Sequence, residues 1–368
     1  MSNTALAALL IFLITTFIAL FLFNIIRKFV MVARTKYIKN NKEIIRQKID
    51  AIIDKPELEF KNGMEEFSLD AAKKGRSYIN VINEYLMETL ESPDVKNREK
   101  LIEIARHLDF PNECLAQIRS RIPRISAMGS RRAGIYRFTE FLKDMIIALD
   151  TLSIENQLEI LMGLSRIGNA AAMQQAFEKI KNSILVNERA VIQILFSFPN
   201  GNEKEKLFRH MLYCDSNYVV SLFLKAMDKE MTKELLDDII KVLKDGSKEI
   251  RISTLRCLGT LGSEAPEKYL INALLDNNWE VRAQAAKALE YIWTADSSYS
   301  LFQALHDRHW WVRQNAANSM IKHPGYETFF TLTAESEDKF SIDSVINALE
   351  NEGNVILLRN IKKMAVRS

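Results

Sequence analysis

Between Ala5 and Ile26 the chain reads ALAALLIFLITTFIALFLFNII, 22 residues with no charged side chain and only Thr15, Thr16 and Asn24 as polar breaks. A helix of that length rises about 33 Å, enough to cross a hydrocarbon layer of about 30 Å. Buried helices of soluble domains rarely run so far without a charged face. A cleaved leader needs a basic segment before the apolar run and a small-residue cleavage site after it. Here Met1 to Thr4 carries no charged side chain, and Phe21 to Lys28 has no A-x-A pattern. The pattern predicts a retained transmembrane helix over 5–26.

The charge that follows sets the orientation. Arg27, Lys28, Arg34, Lys36, Lys39, Lys42, Arg46 and Lys48 face a single acid, Glu43, before Asp50 is reached. Positive charge beside a span is retained in the cytoplasm, which predicts the N-terminus outside and residues 27–368 inside, at the inner membrane of the cell. The membrane-proximal members, Arg27, Lys28, Arg34, Lys36 and Lys39, also suit anionic lipid headgroups, each contributing about 1 kcal/mol near a charged surface. Cys114, Cys214 and Cys257 are far apart and form no CxxC pair, so they read as reduced packing residues.

Beyond the span the pattern stays helical. Only 12 Gly and 7 Pro punctuate the chain, which favours helices joined by short turns over many short strands. TKYIKNNKEIIRQKIDAIID from Thr35 and INVINEYLMETL from Ile79 are amphipathic, and Pro56 with the polar NGMEEFSLDAAKKGRS stretch separates them. Residues 27–100 are expected to form a basic juxtamembrane and helical adaptor.

A repeat then dominates. LKDGSKEIRISTLRCL from Leu243, LLDNNWEVRAQAAKAL from Leu274 and LHDRHWWVRQNAANSM from Leu305 align without a gap. Asp245, Asp276 and Asp307 are 31 residues apart, as are Arg251, Arg282 and Arg313, and Ile250, Val281 and Val312. Within each unit the apolar positions recur at helical spacing, for example Val281, Ala285 and Ala288, and Val312, Ala316 and Met320. Such a stripe needs a neighbour to cover it, so helix pairs stack on helix pairs along one continuous core. Small residues at Ala285, Ala286, Ala316 and Ala317 let neighbouring helices approach, and turns such as Gly262-Ser263 separate the pairs. The pattern is clear over 240–325 and weaker over 150–240 and 325–360. Asp338 lies 31 after Asp307, but the segment from Ser341 has slipped by a residue and lost the Arg, as a terminal capping unit would.

The pattern D-x-x-x-x-[VI]-R-x-x-[AT]-x-x-x-[LM] resembles the HEAT and HEAT-like (phycobilisome-lyase-type) repeats. That resemblance implies an all-α, right-handed α-solenoid over 101–360. It also implies that Asp245, Asp276 and Asp307 form polar ladders with Arg251, Arg282 and Arg313 between adjacent repeats. An acceptor at a helix start and an Arg fork between units make such a ladder physically reasonable.

No catalytic, cofactor or metal motif emerges. The glycine pairs Gly163/Gly168 and Gly259/Gly262 fall at repeat turns and make no phosphate loop, and GLSRIG lacks the G-x-S-x-G spacing. His306 and His309 flank Asp307 but lack a third ligand. The metal-dependent HEAT-like deoxyhypusine hydroxylases use His-Glu pairs, and this sequence contains no His-Glu dipeptide. Non-enzymatic function is the expectation, with no cofactor. A phycobilin-lyase-like enzyme that holds a ligand in the solenoid groove is the alternative from another class.

Two surfaces are candidates for a partner. Arg119, Arg121, Arg124, Arg131, Arg132 and Arg137 occur with no acid between Cys114 and Phe138. They suit an acidic segment or the membrane face, or else a solvated face whose counter-ions come from elsewhere. Trp279 and Trp310 occupy equivalent repeat positions and read as packing. Trp311 stands where the other units have Glu249 and Glu280, so it reads either as a contact with the terminal unit or as a partner anchor. The net charge of +3 gives nucleic acid no strong attraction. The expected partner is another protein, one in the membrane. The layout of span, basic segment and HEAT repeats resembles bacterial accessory subunits of membrane glycosyltransferases in extracellular polysaccharide assembly. A signalling or trafficking adaptor at the membrane is a further alternative.

Overall fold

The computed structural model describes residues 3–92, 95–151, 153–180, 187–262, 265–336 and 338–365. Every regular element among the described residues is a helix, as the hydrophobic period predicts. The chain divides into two compact units, Met1–Phe141 and Leu142–Ser368. The divisions drawn from composition at 26/27 and 100/101 both fall inside the first unit.

In the first unit, the apolar run and the basic segment share one uninterrupted helix, Asn3–Ile53. Its 51 residues make a rod about 77 Å long. The rod stops in a turn before Pro56, whose ring disfavours helical backbone at the residue ahead of it. Lys100 receives the free carbonyls there: its Nζ donates to Ile53 O at 2.5 Å and to Lys55 O at 2.8 Å. The last three turns bury Ile45, Ile49 and Ile53 among helices that follow. Glu57–Lys74 presents Phe60, Met64, Phe67 and Ala71 at 4-3-4 spacing, one buried stripe. A Cβ at Gly63 would lie 2.8 Å from Ile52 Cγ2, so this glycine permits the close approach.

Phe110–Ile118 and Pro123–Ile135 form a tight pair joined by the turn that holds Arg119 and Arg121. Gly129 crosses directly over the partner's backbone, where a Cβ would stand 2.7 Å from Ile118 N. Ser126 Oγ donates to Ile118 O at 2.7 Å and closes the crossing.

The second unit is a stack of helices. Ile154–Ile167, Glu188–Phe196, Asn217–Ala226, Lys248–Gly259, Trp279–Ala288, Trp310–Met320 and Lys339–Glu352 form one row, each packed on the next. A second set, including Glu267–Ala273 with Ala295–Ala304 and Tyr326–Glu335 with Val355–Ala365, covers the row from the other side. This is the solenoid arrangement. The small-residue expectation is met along the row: Ala285, Ala286, Ala316 and Ala317 are all fully buried.

The row continues upstream of the sequence repeat with different polar ties. Ser165 Oγ lies 2.6 Å from Ile194 O and 2.9 Å from Ser197 Oγ, and Ser221 Oγ lies 2.7 Å from Ser253 Oγ. Serine contacts therefore occupy the inner row where the Asp–Arg pattern has faded.

His323 links the C-terminal repeats. It is buried, with Nδ1 2.9 Å from Ser298 Oγ and Nε2 3.0 Å from Leu289 O. The neutral ring fits this site, accepting from the serine hydroxyl and donating to the carbonyl. Burial lowers its pKa from the ordinary 6.5, partly offset by the Leu289 carbonyl. The unfolded chain therefore takes up a proton first as pH falls. The contribution is fully present above about pH 6.5 and is lost as pH drops through the lower folded value. We expect thermal unfolding to move to lower temperature between about pH 7.5 and about pH 5.5, and His323→Gln to flatten that slope. An unchanged slope in the variant would remove His323 as its source.

Candidate functional site

The Asp–Arg series is the most regular feature of the second unit, and it joins successive repeats. Arg251 grips Asp276 through Nε at 2.8 Å and Nη2 at 3.1 Å. Arg282 grips Asp307 through Nε at 2.7 Å and Nη2 at 2.9 Å. Each Arg also donates Nη1 to a carbonyl in its own turn: Arg251 to Gly246 O, Arg282 to Asp276 O and Arg313 to Asp307 O. Each paired Asp accepts a backbone amide two residues on, at Asn278 and His309.

Burial works to raise the carboxyls of Asp276 and Asp307. Hydrogen bonds from the Arg forks and backbone amides outweigh it and leave both below the ordinary 3.8. The bond from Asp307 raises the Arg282 guanidinium in turn. These charges serve the stack.

The two ends of the series differ from its middle. Asp245 is exposed, and the residue one repeat before Arg251 in the row is Val220, which has no cation to offer. Arg313 meets no carboxylate at Asp338; its Nε donates to Phe340 O at 3.3 Å and its guanidinium lies 5.3 Å from the Phe340 ring centre. Asp338 instead caps its own helix, accepting from the amides of Phe340 and Ser341. The one-residue slip seen in the sequence turns a ladder rung into a cap.

The arginine series of the first unit splits. Arg119, Arg121, Arg124 and Arg137 are exposed, and Arg131 is exposed and 3.1 Å from Glu91. Arg132 does not belong to this surface: it is 8% exposed. Its Nη1 donates to Gln117 Oε1 at 3.1 Å, and Nη2 donates to Asn83 Oδ1 at 2.9 Å and Glu113 Oε2 at 3.3 Å. Helix geometry explains the split, because Arg131 and Arg132 point about 100° apart and only one of them can face solvent. Ile122 and Met128 are exposed beside the basic residues.

The tryptophans also separate. Trp279 is half-buried and stacked on His309, with ring centres 3.8 Å apart and planes 8° from parallel. Trp310, expected to pack, is 44% exposed, and Trp311 is 51% exposed, the two meeting edge to face at 4.5 Å. Equivalence in the repeat did not give them equal burial: Trp279 lies on His309, whereas the ring 31 residues beyond His309, Phe340, lies against the Arg313 guanidinium. Phe340, which the sequence reading passed over, is 69% exposed. His306 and His309 are occupied separately, by Phe302 O at 3.2 Å and by the Trp279 stack. Among the described residues no three His, Cys, Asp or Glu side chains are gathered as metal ligands. Cys114 and Cys257 are buried, which pushes both thiols up to about 11.

The basic residues Arg27, Lys28, Lys36 and Lys39 lie along the first helix and are exposed; the side chain of Arg34 lies outside the described residues. One helix among the described residues is long and apolar enough to cross a membrane, and none of its most apolar stretch is buried by protein. Exposed apolar side chains continue past Arg27 and Lys28 through Phe29, Val30, Met31 and Val32.

Comparison with known proteins places one segment. Residues 232–324 match the family model for HEAT repeats. No curated protein matches the chain. Among solved structures the chain is similar to an engineered protein at 16% identity, covering 85% of this chain and 98% of that one, with a TM-score of 0.35. It is similar to the complex of CpcE and CpcF of phycocyanin lyase from Nostoc sp. PCC7120 at 16% identity, covering 70% and 94%, with a TM-score of 0.28. It is also similar to human deoxyhypusine hydroxylase in complex with glycerol at 17% identity, covering 78% and 98%, with a TM-score of 0.29. At TM-scores this low none of the three bears on what the chain does. The matched segment contains all three Asp–Arg units and the two tied rungs between them, and residues 232–324 are HEAT-like repeats.

Proposed function

We propose that the chain is a membrane-held scaffold whose HEAT-like repeats bind another protein. The observation that carries the membrane half of this reading is the first helix, whose most apolar stretch is entirely unburied and is followed by Arg27, Lys28, Lys36 and Lys39. Hydrocarbon would cover that apolar surface at no cost in unsatisfied polar groups, because a helix bonds its own backbone. The basic residues would then hold the N-terminus outside and the remainder in the cytoplasm, close to anionic headgroups.

The scaffold half rests on how the repeats spend their charged groups. The recurring Asp and Arg side chains tie helix to helix, which leaves the non-recurring surface residues to recognise a partner. A membrane glycosyltransferase of polysaccharide assembly is the partner we propose, on layout alone; a signalling or trafficking adaptor would share every feature named. In-cell crosslinking followed by affinity purification of the full chain in mild detergent tests the reading. Recovery of one defined membrane protein, with the chain resisting alkaline extraction, is the expected result. Release of the chain by alkali would remove the membrane half, and a bound pigment or other small molecule in place of a protein would favour the lyase-like alternative.

A further inference from the structure

The helix Trp310–Met320 differs from its neighbours in the row on the side that meets solvent. Its exposed residues include Trp310, Trp311 and Asn318, with Asn315 half-buried, and none of these carries a charge. Its one ionic residue, Arg313, is buried. The neighbouring helices keep charges outward: Glu249 and Arg256 on one, Lys287 on the next, Asp343 and Glu350 on the last. Charge depletion around exposed tryptophan marks the centre of a binding surface better than apolarity alone does.

Trp311, Asn315 and Asn318 follow one another at i, i+4 and i+7, so they share a helix face. Their carboxamides are only partly used. Gln314 Nε2 donates to Asn318 Oδ1 at 3.1 Å, and Asn315 Nδ2 donates to Ala283 O at 3.2 Å. Gln314 is 8% exposed, and its Oε1 accepts from nothing. The Gln314 oxygen is enclosed, so the uncharged hydrogen-bonding capacity left to a partner lies on Asn315 and Asn318, beside two accessible indoles.

We propose that this face binds an extended, uncharged polypeptide segment of a partner protein, with main-chain amides against the carboxamides and an apolar side chain against the indoles. A peptide backbone supplies N–H donors and C=O acceptors in alternation without net charge, which is what carboxamides match. A charged segment would lose hydration here and find no counter-ion on the helix. The proposal rests on the scaffold reading and gives that reading a location.

The test uses the full-length chain in mild detergent on two immobilised probe sets: uncharged peptides of about nine residues built from Ala, Ser, Gly, Leu, Phe and Trp, and neutral oligosaccharides. We expect retention on a subset of the peptides, weakened at least about tenfold by Trp311→Ala and by the pair Asn315→Ala and Asn318→Ala. N-methylation of the bound peptides' main chain should weaken it as much. Because Trp311 and Asn318 are exposed, circular dichroism should show these variants folded. Retention on no peptide beyond that of Trp311→Ala, indifference to N-methylation, or retention on the oligosaccharides in their place would each overturn the proposal. If crosslinking recovers the same protein partner with the parent and with Trp311→Ala, the scaffold reading stands and this face is the wrong one. If the parent yields no protein partner yet the peptides bind as described, the face stands and the scaffold reading fails.

Discussion

Asp307→Ala is expected to destabilise the second unit by about 3–5 kcal/mol, because it strands the Arg282 guanidinium in a site that water barely reaches. The side chains of Arg282 and Asp307 are only 7% and 13% exposed, and the carboxylate takes both Nε and Nη2 of the fork. The same change at Asp276 should cost less, about 1–3 kcal/mol, since Arg251 is 23% exposed and recovers hydration. Asp245→Ala should fall within about 0.5 kcal/mol of the parent, its carboxyl being exposed at the open end of the series. Urea unfolding of the full chain, with hydrogen exchange followed over Trp279–Ala288, measures all three. Equal costs at positions 245 and 307 would show that the repeat spacing, and not the buried fork, governs stability. Replacing Arg282 and Asp307 together by apolar residues should recover much of the loss, since the stranded charge disappears with its partner.

The pH dependence of the ladder follows from the same geometry. Asp276 and Asp307 both sit below the ordinary 3.8 when folded, so their contribution is fully present above that value. It is lost as pH falls through the lower folded values. Acid weakening of the repeats therefore proceeds in two stages, an earlier one from His323 and a later one from the ladder carboxyls. Asp307→Ala should remove part of the second stage and leave the first in place.

Much of this architecture is legible in the sequence because the ladder needs particular side chains at a fixed spacing. An Arg fork reaches the next repeat's carboxylate only when both stand at the same turn of successive units, so the 31-residue period is written in Asp and Arg. Upstream of the first rung the helices are tied by serine contacts at other positions, Ser165 with Ser197 and Ser221 with Ser253, so the row of helices persists while the recognisable letters vanish. Burial of side chains at surface-like positions was harder to read. Trp310 occupies the repeat position of Trp279 and still faces solvent: Trp279 stacks on His309, whereas the aromatic ring one repeat beyond His309, Phe340, lies against Arg313. The charge-free face of Trp310–Met320 was present in the letters WWVRQNAANSM, but only the structure shows that Arg313 turns inward and removes the one cation.

Arg132→Ala is expected to cost the first unit about 3–5 kcal/mol, whereas Arg121→Ala and Arg124→Ala should stay within about 0.5 kcal/mol of the parent. All three belong to one arginine-rich stretch, yet only Arg132 is enclosed, bonded to Asn83, Glu113 and Gln117 with its guanidinium 5.6 Å from the Phe110 ring centre. Tyr136 joins the same cluster, its hydroxyl 2.8 Å from Asn83 Oδ1, so removing the arginine leaves a carboxylate and two carboxamides without their common donor. Thermal unfolding of the full chain in detergent distinguishes the positions. A loss at Arg132 no larger than at Arg121 would mean that water replaces the guanidinium without penalty and that the cluster ties nothing together. Arg132→Glu would place a second carboxylate beside Glu113 and unfold the unit by repulsion, so a loss of partner binding in that variant would report folding. Charge reversal at Arg121 and Arg124 alters the exposed basic surface and leaves the cluster whole, which makes those two residues the ones through which an acidic partner or an anionic bilayer can be tested.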